Sequence, residues 1–324
     1  MSGDKAPKKA PKSPFGPPLD ISAAFAARPV LDFVLPGFLS GSTGVVIAPG
    51  STGKSLLALQ TAASVALGRD AFGIFRADLN EPETMIKSGR VVIINVEDQA
   101  PIISDRLYSM GPAFTEEEKK AIHEDVLIFS EVGRNFRLVQ PNEMGPGFRM
   151  SDAMHTTIEY LKWIQPRLVI FDTMNRLSAG VDENSNADMG LVMSFIEELN
   201  LQVGCSSLII HHANKGAVLS GNSDSQQAGR GASAVTDNAR WQINLSTMTK
   251  EEAQNLGYSD LSRRSWVRMD YSKVNYGPPR PTVWMRREEG GWMNGNVPSP
   301  EEVAEEMGLT PSKKQSFKKK KSPI

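Results

Sequence analysis

The chain has 324 residues, of which 40% are hydrophobic, enough to build one large α/β core with small appendages. Its single cysteine excludes a disulfide framework and is typical of a reducing cytoplasm. No apolar run reaches the roughly 20 residues of a membrane span, so we expect a cytoplasmic protein that does not enter a membrane.

The net charge of −1 conceals an uneven distribution along the chain. Ten of the 36 basic residues are lysines within residues 1–14 and 313–324, where only one of the 37 acidic residues, Asp4, is found. The rest of the chain therefore has 26 basic and 36 acidic residues. Such a core is not a generally basic surface, so nucleic acid would have to contact a local patch or the tails.

Composition also predicts the domain boundaries. We expect a disordered basic tail over residues 1–18, one folded domain over 19–297 and a disordered lysine-rich tail over 298–324. The tails are interpreted either as solubilising ends or as segments with an electrostatic role.

A Gly-rich motif follows the first apolar run of the folded domain. Residues 48–55 read APGSTGKS, and a helical pattern continues to about Leu67. Strand, Gly-rich turn and helix are the context of a Walker A phosphate loop, although alanine replaces the first glycine here. Backbone N–H groups would face the phosphates of ATP, Lys54 would add a positive charge and Ser55 would bind Mg²⁺. The predicted nucleotide-binding residues are Gly50, Ser51, Thr52, Gly53, Lys54, Ser55 and Leu56.

Two later apolar runs end in carboxylates that suit ATP hydrolysis. One ends in Asp172, which would hold the Mg²⁺ shell together with Ser55. The other ends in Glu97 and Asp98, where a carboxylate would accept the proton of the attacking water. The alternative for this acid pair is a surface position that caps the next helix.

A fourth apolar run ends in His211 and His212, at the edge of the sheet where α/β proteins bind ligands. A histidine there would hydrogen-bond the γ-phosphate and report its loss. The alternatives are a loop histidine held by hydrogen bonds, or a zinc ligand. Zinc is disfavoured because no cysteine or histidine lies at ligand spacing and Cys205 is the only cysteine.

The remaining pattern completes an α/β arrangement. Helices are predicted over residues 22–27, 116–124, 152–164 and about 189–202, and capping boxes are predicted at 115–118 and 249–252. Residues 69–89 are interpreted as an irregular insertion, and 130–150 as a long loop. Alternating strands over 241–245, 266–274 and 283–287 predict an antiparallel edge on a parallel core.

Several segments resemble one family of ATPases: the RepA-type hexameric replicative DNA helicases of broad-host-range plasmids, within the RecA-like P-loop ATPases. The likeness extends from about residue 21 to 287. Its segments are LDFVLP (31–36), VED (96–98), FDT (171–173), HHANKG (211–216), QQAGRG (226–231), DNARWQ (237–242) and SKVNYG (272–277). The last two are the most specific.

The resemblance implies a RecA-like P-loop core whose mostly parallel sheet is extended by antiparallel edge strands. It implies catalytic roles for Lys54, for Glu97 as the water-activating carboxylate and for His212 as the γ-phosphate sensor. Arg240 is similar to an arginine finger that reaches a neighbouring subunit's nucleotide, with Lys273 as a possible assistant. Without the resemblance, Arg240 would be interpreted as a strand-end arginine in a local ion pair.

The resemblance also implies partners. Segment 21–36 would latch onto an adjacent subunit in a homohexameric ring, and single-stranded DNA would pass through its central channel. Loop 213–230 would face that channel, with Lys215 and Arg230 on DNA phosphates. A second candidate is loop 130–150, whose arginines are Arg134, Arg137 and Arg149; its alternative is a solvated surface loop.

These expectations together describe an ATP-dependent replicative helicase that uses Mg²⁺ and relies on a separate primase and initiator protein. The alternatives are a RecA-like recombination or accessory ATPase, and a regulator that binds DNA and uses ATP as a switch without translocating.

Overall fold

The computed structural model describes residues 15–76, 85–143, 145, 147–212 and 233–309. The chain divides into two compact units, Met1–Leu31 and Asp32–Ile324. The first unit contains helix α1, Ile21–Ala26, whose N-cap Asp20 accepts a hydrogen bond from the Ala23 N–H. The start of the folded domain at residue 19 stays a prediction, since the division after residue 31 separates two compact units.

The second unit is built on a nine-stranded sheet with two small two-stranded sheets beside it. The strands are β1 Phe33–Leu35, β2 Phe38–Leu39, β3 Thr43–Ala48, β4 Val91–Asn95, β5 Val126–Ser130, β6 Val139–Pro141, β7 Phe148–Met150, β8 Leu168–Asp172, β9 Ser206–His212, β10 Trp241–Thr247, β11 Trp266–Val274, β12 Val283–Arg287 and β13 Met293–Asn294. The large sheet has the order β13-β12-β11-β10-β3-β9-β8-β4-β5. Its strands from β10 to β5 are parallel, and β11 to β13 are antiparallel. The predicted fold class is confirmed.

Helices cover both faces of this sheet. They are α2 Lys54–Leu67, α3 Ala100–Met110, α4 Glu116–Asp125, α5 Asp152–Ile164, α6 Met174–Leu177, α7 Asn186–Val203, α8 Ala234–Asn238, α9 Lys250–Leu256 and α10 Pro300–Glu306. Side chains of β3 alternate between two hydrophobic cores: Val46 belongs to the core that contains α2 and α3, and Val45 to the core that contains α5 and α7. Burial on both faces explains why the parallel strands are continuous apolar runs.

Strand β10 corrects one prediction. The sequence grouped it with the antiparallel strands, but it pairs in parallel with β3 on one side and antiparallel with β11 on the other. Its first six residues are all buried, so it is an interior strand at which the direction of the sheet changes. Strand direction depends on the crossover that precedes a strand, which side-chain alternation does not report.

The helix predictions were largely confirmed. Both capping boxes are present, at Thr115 and Thr249, each closed by the glutamate three residues later. Helix α5 has the predicted bounds, and Ile164 rather than Trp163 faces the core: Ile164 is 4% exposed and Trp163 is 78% exposed.

Two irregular segments contain more structure than predicted. Within residues 130–150, β6 and β7 form a hairpin with the pairing Val139↔Met150. Within the predicted tail from residue 298, Ser299 caps helix α10 in a third capping box. Ala304 of this helix is buried, which gives a short helix the tertiary contact that it needs.

A buried glutamine joins the phosphate-loop helix to the end of the antiparallel edge. Gln60 of α2 is fully buried; its Nε2 donates to the Met293 carbonyl at 2.6 Å, and its Oε1 accepts from the Met293 N–H at 3.0 Å. The amide therefore pairs with β13 as a neighbouring strand would.

We expect Gln60→Leu to lower the free energy of unfolding by about 2–4 kcal/mol, because it leaves two buried backbone groups of Met293 without partners. Urea denaturation of the variant measures this. The control is Gln202→Leu, which changes an exposed glutamine of α7 and should stay close to the wild type. An equal loss in both variants would contradict the structural role of Gln60.

An ion-pair cluster fixes the start of the second unit. Arg167 donates to both carboxylate oxygens of Asp32, at 2.9 and 3.0 Å, and to the Phe33 carbonyl at 2.7 Å, while Lys87 lies 2.8 Å from the same carboxylate. Mainly through the Arg167 hydrogen bond, the pKa of Asp32 is lowered to about 2. The ionised carboxylate therefore stabilises the fold above its unfolded pKa of roughly 4, and this contribution is lost as the pH falls towards 2.

Asp32→Asn should accordingly destabilise the protein at pH 7 by about 1 kcal/mol, a value limited by the partial exposure of the pair. The difference in unfolding free energy from the wild type should shrink between pH 4 and pH 2, as urea titrations at several pH values would show. Glu116→Gln, at an exposed helical ion pair, is the control for a surface charge. A difference that does not change with pH would contradict the assignment.

None of the helices in the described ranges has the length and apolar character needed to cross a membrane.

Candidate active site

The parallel strands bring the predicted site residues to one edge of the sheet. Register pairs Ala48 with His212, Asp172 with Ile210, and Asn95 with Asp172. The carboxyl ends of β3, β9, β8 and β4 therefore lie side by side, and the residues that follow them share one cleft edge.

The loop between β3 and α2 has the backbone of an anion-binding turn. Ser51 has φ 63° and Gly53, the N-cap of α2, has φ 102°. These left-handed positions turn successive N–H groups of the loop towards one side, next to the positive end of the helix. Lys54 is only 7% exposed, and its Nζ lies 3.9 Å from Glu97 Oε2. The predicted nucleotide-binding segment thus has the geometry that phosphates require.

Glu97 lies at the centre of the site. Its Oε1 accepts from Thr173 Oγ1 at 3.0 Å and lies 3.3 Å from His212 Nε2, while its Oε2 faces Lys54. The hydrogen bond with His212 is the main cause that lowers the Glu97 pKa to about 2, and the charge of Lys54 acts in the same direction. Glu97 is therefore an ionised carboxylate, and the negative phosphates of a bound nucleotide would raise its basicity.

The structure gives different surroundings to Glu97 and Asp98, the two adjacent acids that the sequence did not distinguish. Asp98 turns away from the cleft and pairs with Arg106 of α3, with Nη1 and Oδ2 2.5 Å apart. The backbone N–H groups of Glu97 and Asp98 both donate to the side-chain oxygen of Asn95, at 3.0 and 2.8 Å. Of the two acids, Glu97 therefore faces Lys54 and His212, whereas the carboxylate of Asp98 is paired with Arg106.

Asp172 has the properties of a magnesium carboxylate. It is 1% exposed, one oxygen accepts from Asn95 Nδ2 at 3.1 Å, and Oδ1 has no hydrogen-bond partner among the described residues. Burial raises its pKa to about 6, a shift that the nearby Ser55 hydroxyl reduces. A buried carboxylate oxygen of Asp172 near Ser55 is suited to bind Mg²⁺. The ion takes few protein ligands when phosphate oxygens and water complete its coordination shell. Bound there, Mg²⁺ would neutralise phosphate charge.

The described residues contain no cluster of three or more histidine, cysteine or acidic side chains able to hold a metal.

Comparison with known families decides the class of this site. A family model described as an AAA domain matches residues 9–218, well over half of the chain. The chain belongs to this AAA-domain family of P-loop ATPases. The match includes the phosphate loop, Glu97, Asp172 and His212, and it ends before α8 and the antiparallel edge of the sheet.

Arg240 of this AAA-domain protein does not approach its own phosphate loop. It precedes β10, its N–H donates to the Thr43 carbonyl at the beginning of β3, and its side chain is exposed. The length of β3, about 17 Å for six residues, separates it from the loop. The structure therefore does not bring Arg240 together with Lys54, Glu97 and His212 within one chain.

Lys273 lies beside Arg240 but has a local role. Its Nζ donates to the carbonyls of Thr236 and Asp237, at 3.0 and 2.9 Å, at the C-terminal end of α8. Burial lowers its pKa, and the charge of Arg240 adds to this effect. Lys273 thus holds the segment that leads into Arg240.

The predicted DNA contacts Lys215 and Arg230 lie outside the described residues, as does the rest of 213–232. In the second candidate segment, Arg149 pairs with Glu143 and Asp152, at 3.0 and 3.1 Å, and so carries little free positive charge.

Sequence reasoning missed three residues that organise the site: Asn95, Thr173 and Arg106. An asparagine at a strand end is a known turn former, so Asn95 had a weak local signal. Thr173 follows Asp172 directly but reaches Glu97 across the sheet, and the partner of Arg106 depends on how α3 leaves β4. The roles of Thr173 and Arg106 can be recognised only once the sheet is folded.

Proposed function

We propose that this AAA-domain protein is a ring-forming, ATP-dependent replicative DNA helicase, similar to the RepA-type hexameric helicases. It would translocate on single-stranded DNA and unwind duplex by coupled ATP hydrolysis with Mg²⁺. Lys54 and the loop N–H groups would hold the phosphates, Ser55 and Asp172 the Mg²⁺, Glu97 would activate water and His212 would sense the γ-phosphate.

The observation that carries the proposal is the position of Arg240 at the edge of the sheet opposite to the phosphate loop. An arginine finger there can act only on the nucleotide of a second copy. Such an interface is heterologous, with different surfaces on its two sides, and a heterologous interface generates a ring when the rotation between subunits closes. Hydrolysis then depends on assembly.

Helix α1 supports an assembly of this kind. None of its residues is buried, and Ile21 and Phe25 are 62% and 88% exposed. Exposed apolar side chains of this kind are suited to a neighbouring subunit, which supports the latch role for the part of segment 21–36 that contains α1. Phe33, Val34 and Leu35 of the same segment are instead buried in the described structure.

The test is the ATPase rate with and without single-stranded DNA, measured together with particle mass and with unwinding of a forked duplex. We expect DNA to stimulate hydrolysis, a mass of six chains and strand separation that requires ATP. A monomer whose ATPase rate does not change when single-stranded DNA is added would contradict the proposal. DNA-stimulated hydrolysis in an assembly that does not unwind would instead favour a recombination or accessory ATPase, and DNA binding without translocation a regulator.

A further inference from the structure

Arg287 connects the antiparallel edge of the sheet to the phosphate loop. It is the last residue of β12, which is separated from β3 by two strands of the sheet. Its Nη2 nevertheless donates to the carbonyls of Ser51 and Thr52, at 3.2 and 2.6 Å. One guanidinium therefore binds two consecutive peptide groups of the phosphate loop.

The direction of these bonds matters for nucleotide binding. When loop N–H groups face the phosphates, the carbonyls face away from them, and Arg287 takes two of those carbonyls. The fit is close: a Cβ added to Gly53 would lie 3.1 Å from Arg287 Nη1, at a backbone φ of +102° that already favours glycine. The guanidinium thus packs against the back of the loop.

Among the described residues, the charge of Arg287 has no carboxylate partner. The described residues contain no acidic side chain within ion-pair distance of it; its other hydrogen bond is from Nε to the Arg264 carbonyl, at 3.3 Å. Partial burial lowers its pKa. Partial loss of hydration destabilises this cation. The negative charge of a polyphosphate bound on the opposite side of the loop would stabilise it.

The support behind Arg287 is rigid. After β12 the chain turns back as β13, where Met293 is fully buried and is held by both polar atoms of the Gln60 amide. The Met293 sulfur lies 3.5 Å from the Cβ position of Gly53. The hairpin is therefore anchored on α2, next to the loop that Arg287 binds.

We propose that Arg287 is a positioning residue of the nucleotide site, which holds the phosphate loop in its binding conformation from behind and adds positive charge to it. The inference rests on the proposed nucleotide binding and goes beyond it: affinity for the phosphates common to ATP and ADP depends on a residue of the antiparallel edge. Arg287 touches the loop and not the nucleotide.

The experiment compares Arg287→Met, Arg287→Lys and Arg287→Gln with the wild type. Methionine keeps the packing of the stem without charge or donor, lysine keeps the charge, and glutamine keeps a donor. The matched control is Arg286→Gln, since Arg286 is the exposed neighbour on the other face of β12. Kd values for ADP and for a non-hydrolysable ATP analogue, KM and kcat for ATP, and thermal unfolding are measured on the full chain.

We expect Arg287→Met to raise both Kd values and KM about tenfold, because the loop loses its two charge-assisted hydrogen bonds, with kcat at saturating ATP within about threefold of the wild type. Lysine and glutamine should give smaller increases, and Arg286→Gln none. These two milder variants keep the test valid if the methionine variant does not fold.

Three results would overturn the inference: unchanged Kd values in all Arg287 variants, a loss of ATP affinity with unchanged ADP affinity, or a fall in kcat with unchanged KM. The second would make Arg287 a γ-phosphate contact instead of a loop support. A wild-type protein that binds neither nucleotide would refute the proposed function itself, so the two failures are distinct.

Discussion

Glu97→Gln is expected to lower kcat for ATP hydrolysis by about 10²- to 10⁴-fold, the usual contribution of a general base, while ATP binding is retained. Glutamine can still accept from Thr173, so the local fold is kept, but it cannot take a proton from water. Removing a negative charge that faces Lys54 should leave the Kd for ATP unchanged or lower it. Single-turnover hydrolysis and nucleotide titration measure the two quantities separately.

Asp98→Asn is the matched control, because it makes the same chemical change one residue along the chain, at a side chain that pairs with Arg106. Its kcat should stay within a few-fold of the wild type. Lys54→Ala should abolish hydrolysis by a different route, loss of phosphate binding. Wild-type hydrolysis by Glu97→Gln, or an equal loss in Asp98→Asn, would mean that the base is not Glu97.

Arg240→Ala is expected to reduce hydrolysis by about 10³- to 10⁵-fold, the range for arginine fingers, with nucleotide binding and ring assembly intact. The expectation follows from the proposed shared site: the side chain is exposed and lies at the far end of β3 from its own phosphate loop. Arg240→Lys should recover little, because an ammonium lacks the planar fork of the guanidinium. Circular dichroism should show no loss of folding in either variant.

Mixing subunits tests whether Arg240 acts in trans. Arg240→Ala and Lys54→Ala subunits are each inactive alone, but a mixed ring contains interfaces that combine an intact phosphate loop with an intact arginine. Partial recovery of ATPase activity is the expected result. No recovery in rings shown to contain both subunits would count heavily against a shared site and return Arg240 to the role of a local surface arginine.

The sequence by itself determined the phosphate-loop motif, the position of the strand-end carboxylate Asp172 and the class of fold. Each of these has a local signature: a phosphate loop needs its glycines, lysine and hydroxyl in a fixed order, and buried parallel strands are continuous apolar runs. Asp172 and His212 were predicted because they end such runs. The capping boxes at Thr115 and Thr249 were predicted for the same reason, since both partners lie within four residues.

The tertiary structure decided what depends on distant partners. It distinguished Glu97 from Asp98, because Thr173, His212 and Lys54 all lie next to the carboxylate of Glu97. It also made β10 a parallel strand, which alternation of side chains does not encode.

Contacts between residues more than one hundred positions apart were beyond local reasoning as well. Gln60 pairs with Met293, Arg167 with Asp32, and Arg287 with the phosphate loop. Periodicity and capping rules act over a few residues, whereas these bonds arise only when the sheet brings its edges and helices together. Short motifs in the sequence therefore predicted the candidate site residues. The side chains that hold those residues in place depend on the packing of the whole domain.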